Sequence, residues 1–257
     1  MNKLRLNRYK FNLRFTSDSV LPPFAGNTIR GAFGQSLLEN FPDIYEKIFK
    51  IEGANSHPNP YVISVPYPSQ GSYKIGDTLD FTITLFGTAC AYEKDILLAV
   101  RLMCNGKLSG AKVVGWEQEY DREWSDVGAG SIPQTEALKL DFLTPTEILS
   151  GKEPIAELDF SMFIDSLLGR SANIIGHYTE GEFVVPYNLI ANKPNIKAEY
   201  ELKHINFQTS GQPIYSFIGS ICYFGNITRY LPYIDLGSQI HIGKKTTRSC
   251  GEYSFEI

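Results

Sequence analysis

The sequence predicts an α+β protein made of two tandem ferredoxin-like (βαββαβ, RRM-like) domains, and two observations predict it. In the first half of the 257 residues, strand and helix patterns follow the order β-α-β-β-α-β, the split βαβ unit whose helices cover one sheet face and leave the other free. In the second half a decorated version of that order returns. The length suits two domains of about 130 residues, and a composition with 43% apolar and 20% charged residues can fill two cores.

From Tyr9 to Phe15 apolar side chains alternate with Lys10, Asn12 and Arg14, the period of a half-buried strand. After the Pro22-Pro23 break, Ile29, Phe33, Leu37 and Phe41 recur every four residues behind Asn27, which reads as a helix N-cap. Pro42 interrupts that helix, a shorter helical piece follows over 43–50, and the Pro/Gly/Asn-rich stretch 53–60 reads as loop. Tyr61-Val62-Ile63-Ser64-Val65 is the second strand, and Phe81, Ile83 and Leu85 mark the third. Ile96, Leu97, Val100, Met103 and Cys104 keep helical spacing, and Val114, Trp116, Gln118 and Tyr120 give the fourth strand. A loop rich in Asp, Gly and Ser over 121–134 then sets the boundary between domains 1–128 and 129–257.

The second half opens with a strand over 138–143 and a helix carrying Phe160, Phe163, Ile164, Leu167 and Leu168. Strands over 183–190 and 199–207, an apolar run over 217–224, a short helix capped by Asn226 through Ile234, and a terminal alternation over 253–257 complete it.

A net charge of −4 excludes a uniformly basic surface, so any nucleic-acid site must be a local patch. Cys90, Cys104, Cys222 and Cys250 form no CxxC pair and the four histidines lie far apart, so neither a zinc module nor a disulfide framework is signalled and no metal or cofactor is expected. The start, Met1 to Leu6, lacks a signal-peptide pattern, and no apolar run approaches the about 18 residues of a membrane span. The expectation is a cytoplasmic protein with reduced thiols and no membrane partner.

Basic residues gather in two places. His241-Ile242-Gly243-Lys244-Lys245-Thr246-Thr247-Arg248-Ser249-Cys250-Gly251 sets Lys244, Lys245 and Arg248 between glycines that let backbone N–H groups approach phosphate, without the Walker spacing of a triphosphate site. At the amino end Lys3, Arg5, Arg8, Lys10, Arg14 and Arg30 face a single acid, Asp18. Strands flanking the sheet centre can join both clusters into one groove for a polyanion.

Leu21-Pro22-Pro23-Phe24-Ala25-Gly26-Asn27-Thr28-Ile29-Arg30-Gly31-Ala32-Phe33-Gly34, then Leu85-Phe86-Gly87, and finally the segment from Phe217-Ile218-Gly219 through Gly251 resemble the CRISPR repeat-processing endoribonucleases of the RAMP superfamily. The resemblance runs over nearly the whole chain. It implies a pair of ferredoxin-like domains that bind the repeat of a precursor CRISPR RNA and cut it once per repeat without a metal. A 2′-hydroxyl attacks the adjacent phosphate, leaving a 2′,3′-cyclic phosphate and a 5′-hydroxyl. It implies as partners the repeat RNA or mature CRISPR RNA and effector-complex subunits or a fused or associated Cas protein; a homodimer stays open. The second domain's glycine-containing basic loop is the RNA-contacting element. Where relatives often carry glycine this chain has Ser249, with Arg248 and Cys250 alongside, so the loop is stiffer and more basic.

Family members often place their histidine between the first helix and the second strand, where His57 stands in Asn55-Ser56-His57-Pro58. An unperturbed histidine, with a pKa of about 6.5, can act as acid or base near neutrality. Tyr45, Lys47 and Lys50 are the nearby candidates for the tyrosine and lysine that such sites recruit, Tyr45 and Lys50 being kept as catalytic candidates beside His57. Arg14, Arg30, His241, Lys244, Lys245, Thr246 and Arg248 are expected to contact RNA, and His177 and His204 are set aside. The rivals are a non-cleaving RAMP subunit that holds a guide RNA, then a metabolic enzyme of the same fold and a general single-strand binder. The last would need exposed aromatics on the sheet face.

Overall fold

The computed structural model describes residues 2–49, 57–126, 134–150, 153–155, 157–179, 183–184, 186–191, 194–209 and 212–257. They form two compact units. The first comprises Leu4–Glu123 with Thr247–Ser249, and the second Met1–Lys3, Trp124–Thr246 and Cys250–Ile257.

In the first unit the order is β1 (Lys3–Phe15), α1 (Gly26–Asn40), β2 (Tyr61–Ser64), β3 (Thr78–Phe86), α2 (Glu93–Leu102) and β4 (Ala111–Ser125). The sheet order is β2-β3-β1-β4, the arrangement of a ferredoxin-like unit. β1 and β3 run antiparallel from Leu6 opposite Phe86 to Arg14 opposite Thr78. This register stacks Phe11 on Phe81 at 5.2 Å, and Tyr9, Phe11 and Leu13 share a buried cluster with Ile29, Phe33 and Leu37 of α1 and Ile96 and Val100 of α2. The Ser36 hydroxyl donates to the Ala99 carbonyl at 2.7 Å, tying α1 to α2.

Here the structure refines the sequence reading at three points. β1 begins at Lys3, six residues before Tyr9, because Leu4 and Leu6 are buried on the opposite parity to Tyr9 and Phe11 and so break the alternation. α1 begins at Gly26, with Ala25 as N-cap and no side-chain cap, so Asn27 lies inside the first turn. The piece after Pro42 is a three-residue turn, Pro42–Ile44, that runs into a π-helical turn, Tyr45–Phe49.

In the second unit β5 (Ala137–Thr146), α3 (Phe160–Tyr178), β6 (Lys197–Thr209), β7 (Gln212–Phe224), α4 (Leu231–Ile240) and β8 (Tyr253–Glu256) repeat the plan in the sheet order β6-β7-β5-β8. Its core joins the helices to the sheet through Phe163, whose ring lies 6.0 Å from Tyr223 and 5.9 Å from Tyr253. The two buried tyrosine hydroxyls donate to Leu158 and Ile234 carbonyls, both at 2.6 Å, which offsets the cost of burying them. The strand expected over 183–190 is instead a short helix, Tyr187–Ala191, among its described residues. Pro186 has no N–H for a ladder, and its carbonyl accepts from Leu189 to start the turn. Asn226 is not a helix cap: α4 starts at Leu231 with proline in its first turn, after a 3-10 turn over Thr228–Tyr230.

At the start of α3 the Asp159 carboxylate accepts from the Met162 N–H at 2.8 Å. Asp159→Ala is therefore expected to lower stability by about 1 kcal/mol, as loss of a helix cap does. A urea titration reads this as a lower midpoint at unchanged slope, and an unmoved midpoint would show the cap to be inert.

Candidate functional site

The segment singled out at the carboxyl end divides between the units, and its two parts do different things. Its base, in the second unit, is tightly folded. Arg170 of α3 donates through Nε and Nη2 to the Ile240 carbonyl at 2.9 and 2.7 Å, capping the end of α4 where the loop departs. Burial pulls its guanidinium down to about 10. His241 follows at φ 59°. Its ring is 0% exposed, with Nδ1 3.1 Å from the Cys250 carbonyl. That corrects the expectation of RNA contact by His241: the imidazole packs inside the loop base.

Gly243, at φ 75°, lies where a Cβ would strike the Glu147 carbonyl, and that carbonyl accepts from the Lys244 N–H at 2.9 Å. The Lys245 ammonium is paired with the mostly buried Glu147 carboxylate, so its charge is already met within the protein. The Lys244 side chain is exposed, and Thr246 is buried.

The tip, Thr247–Ser249, belongs to the first unit. Arg30 Nε donates to the Thr247 hydroxyl at 3.1 Å, and its guanidinium lies 4.1 Å above the centre of the Phe49 ring. Phe49 in turn stacks on Tyr45 at 5.1 Å and on Tyr61 at 6.1 Å. The π-helical turn sets Tyr45 and Phe49 on one side, and Gly34 leaves room for the Phe49 ring, which a Cβ there would strike. Asn59 holds the end of that turn, its amide donating to the Ile48 and Phe49 carbonyls at 2.8 and 2.9 Å.

Tyr61 is the central feature. It is 0% exposed, and its hydroxyl finds no hydrogen-bond partner among the described residues. Burial pushes its phenol well above the ordinary tyrosine range, while the charges of Arg30 and Arg248 act in the opposite direction. Both guanidiniums are thus close enough to act on one buried oxygen, and Tyr45 is a further neighbour. Arg30 and Arg248 thus bring two positive charges toward the buried phenol, and a guanidinium is the side-chain group shaped to hold a phosphate.

His57 is exposed, two residues before Asn59, and Lys50 lies outside the described residues. Lys47 sits 5.2 Å from the Tyr92 ring centre. The amino-terminal basic residues do not join Arg30. Arg14 is exposed on the β1 face opposite the helices, Arg5 pairs with Asp121, Arg8 with Glu119 and Lys10 with Asp80. Tyr61, Phe49, Thr247 and Ser249 were missed as site members. Tyr61 and Phe49 have the pattern of core residues, and only the pairing of loop with helix reveals the other two.

His177 closes α3, its Nδ1 2.6 Å from the Asn173 carbonyl, and His204 lies within β6. Trp116 on β4 is 47% exposed and stands edge-on to Tyr9 at 5.8 Å, and Tyr215 and Phe224 on β7 are exposed as well. Among the described residues no group of His, Cys, Asp and Glu could hold a metal ion, and no helix is long and apolar enough to cross a membrane.

Comparison with known proteins places these features. Residues 4–115 match the AF_1859_N N-terminal domain, and residues 140–253 match the model of the CRISPR-associated endoribonuclease Cas6. A protein of Archaeoglobus fulgidus, described as uncharacterized, is 23% identical over 253 residues, covering 84% of each chain. The solved Cas6 of Thermus thermophilus is similar over 98% of this chain and 99% of its own, at a TM-score of 0.67 and 14% identity. A chain of a partial Cas6-RT-Cas1–Cas2 complex is also similar: the match spans 98% of this chain and 46% of that one, at a TM-score of 0.69 and 13% identity. The carboxy-terminal residues 140–253 thus carry the match to the CRISPR-associated endoribonuclease Cas6, and the fold of the whole chain is similar to that of solved Cas6 proteins.

Proposed function

We propose that the protein cleaves precursor CRISPR RNA once within each repeat, without a metal. A 2′-oxygen gives up its proton and attacks the adjacent phosphorus. The bond from phosphorus to the 5′-oxygen breaks, and that oxygen takes up a proton, so the products are a 2′,3′-cyclic phosphate and a 5′-hydroxyl. The observation that supports this most is the Arg30 guanidinium, held over the Phe49 ring at 4.1 Å and on the Thr247 hydroxyl at 3.1 Å as a preorganised cation suited to the charge that develops on the phosphate, with Arg248 next to Thr247 in the chain. Tyr45, beside them, and His57 are the proton-transfer groups of this reading. Lys244, exposed on the loop, holds a flanking phosphate.

Related solved structures are described as a Cas6 product complex, a Cas6 substrate mimic complex and a Cas6-RT-Cas1–Cas2 complex. On that likeness we assign this chain repeat RNA and an associated Cas protein as partners. We place it in the cytoplasm, where its four free cysteines stay reduced.

The test is incubation of the purified protein with repeat RNA in EDTA. Cleavage to a fragment ending in a cyclic phosphate is expected, with His57→Ala slowed at least about tenfold. Intact RNA in EDTA would remove the metal-independent reading. RNA bound but uncut with or without divalent metal would favour the rival, a subunit that only holds CRISPR RNA. Undiminished cutting by His57→Ala would remove that residue from the mechanism.

A further inference from the structure

We infer that Ser249 is the positioning residue for Arg248, an inference that rests on the reading that Arg248 faces the reacting phosphate. Ser249 is buried and held at φ 69°, a left-handed conformation that side chains rarely adopt. Its hydroxyl accepts from the Val65 N–H at 2.8 Å and donates to the Val65 carbonyl at 3.2 Å. Val65 is buried and immediately follows β2, where the ladder to β3 has ended, so one side chain satisfies both of its backbone groups.

The two residues before it are anchored as well. The Thr247 hydroxyl accepts from Arg30, and the Arg248 carbonyl lies against Gly26, at a spot that a Cβ on residue 26 would occupy. Arg248 therefore sits between two residues whose hydroxyls are tied down, which fixes the backbone position from which its side chain extends. Neither small replacement reproduces Ser249. Glycine adopts the left-handed conformation without strain but leaves the Val65 groups without the hydroxyl, and alanine keeps the strain and loses both bonds. A serine in a disfavoured backbone conformation is held there by the two bonds it makes, and their geometric effect falls on Arg248.

The experiment is a double-mutant cycle on steady-state cleavage of repeat RNA, with thermal unfolding of each variant to confirm that it is folded. Arg248→Ala is expected to lower kcat about a hundredfold, as loss of a preorganised charge donor does. Ser249→Ala and Ser249→Gly are each expected to lower kcat about tenfold with KM held within about twofold, the mark of misplaced chemistry rather than lost binding. On the Arg248→Ala background, adding Ser249→Ala should cost less than about twofold. If the Ser249 variants lose the same factor with and without Arg248, or cleave at the parent rate while Arg248→Ala is slow, the positioning role is overturned. If Arg248→Ala itself cleaves at the parent rate, the failure lies in the phosphate reading beneath it.

Discussion

Arg30→Ala is expected to slow repeat cleavage by about two to three orders of magnitude, whereas Arg14→Ala should leave it within about twofold. The contrast follows from where the two cations stand. Arg30 is preorganised: Phe49 supports the plane of its guanidinium and Thr247 takes its Nε–H, so little reorganisation is needed when charge develops nearby. Arg14 is exposed on the other face of β1. Arg30→Lys should recover only a small part of the loss, because an ammonium keeps the charge but neither the planar stack nor the Nε donor. Removing one phosphate contact should also flatten the log–log salt dependence of RNA binding by about 0.7. Equal rates for Arg30→Ala and Arg14→Ala would place the chemistry away from the Tyr61 cluster.

The largest effect on folding is expected from Gly251→Ala, a loss of about 3 kcal/mol or more. Gly251 is buried at φ 77°, and a Cβ there would run into the Ile242 backbone. The same residue carries two backbone bonds that close the loop base, its N–H donating to Pro145 at 3.1 Å and its carbonyl accepting from Ile242 at 3.0 Å. Displacement to relieve the contact would break them, so backbone strain and lost hydrogen bonds act together. A urea midpoint lowered in proportion, with unchanged slope, is the expected result. A midpoint equal to the parent's would mean that the loop base can shift freely.

The sheet and helix order was readable because burial follows period: Tyr9, Phe11 and Leu13 in one unit and Phe160, Phe163 and Leu167 in the other are all core residues. Period failed where burial changes side, as at Leu4 and Leu6, and where one residue without an N–H outweighs an apolar run, as at Pro186. The candidate site was readable only in part. Arg30 and Arg248 stood out by charge, but charge alone could not separate them from Lys245, whose partner Glu147 lies 98 residues away along the chain. His241 seemed available because nothing local shows that its ring turns inward. Tyr61 could not be distinguished from its apolar neighbours in β2, since an orphaned hydroxyl is a property of surroundings that come from α1, the π-helical turn and the loop tip together.

Thr247, Arg248 and Ser249 complete a unit whose remaining residues, Leu4–Glu123, are all translated before Trp124–Thr246. On the ribosome that unit stays unfinished until a tripeptide arrives from far downstream: Val65 waits for its hydroxyl and Arg30 for its threonine. Any chain that ends before residue 247 lacks the second arginine of this cluster and the hydroxyl that Val65 bonds.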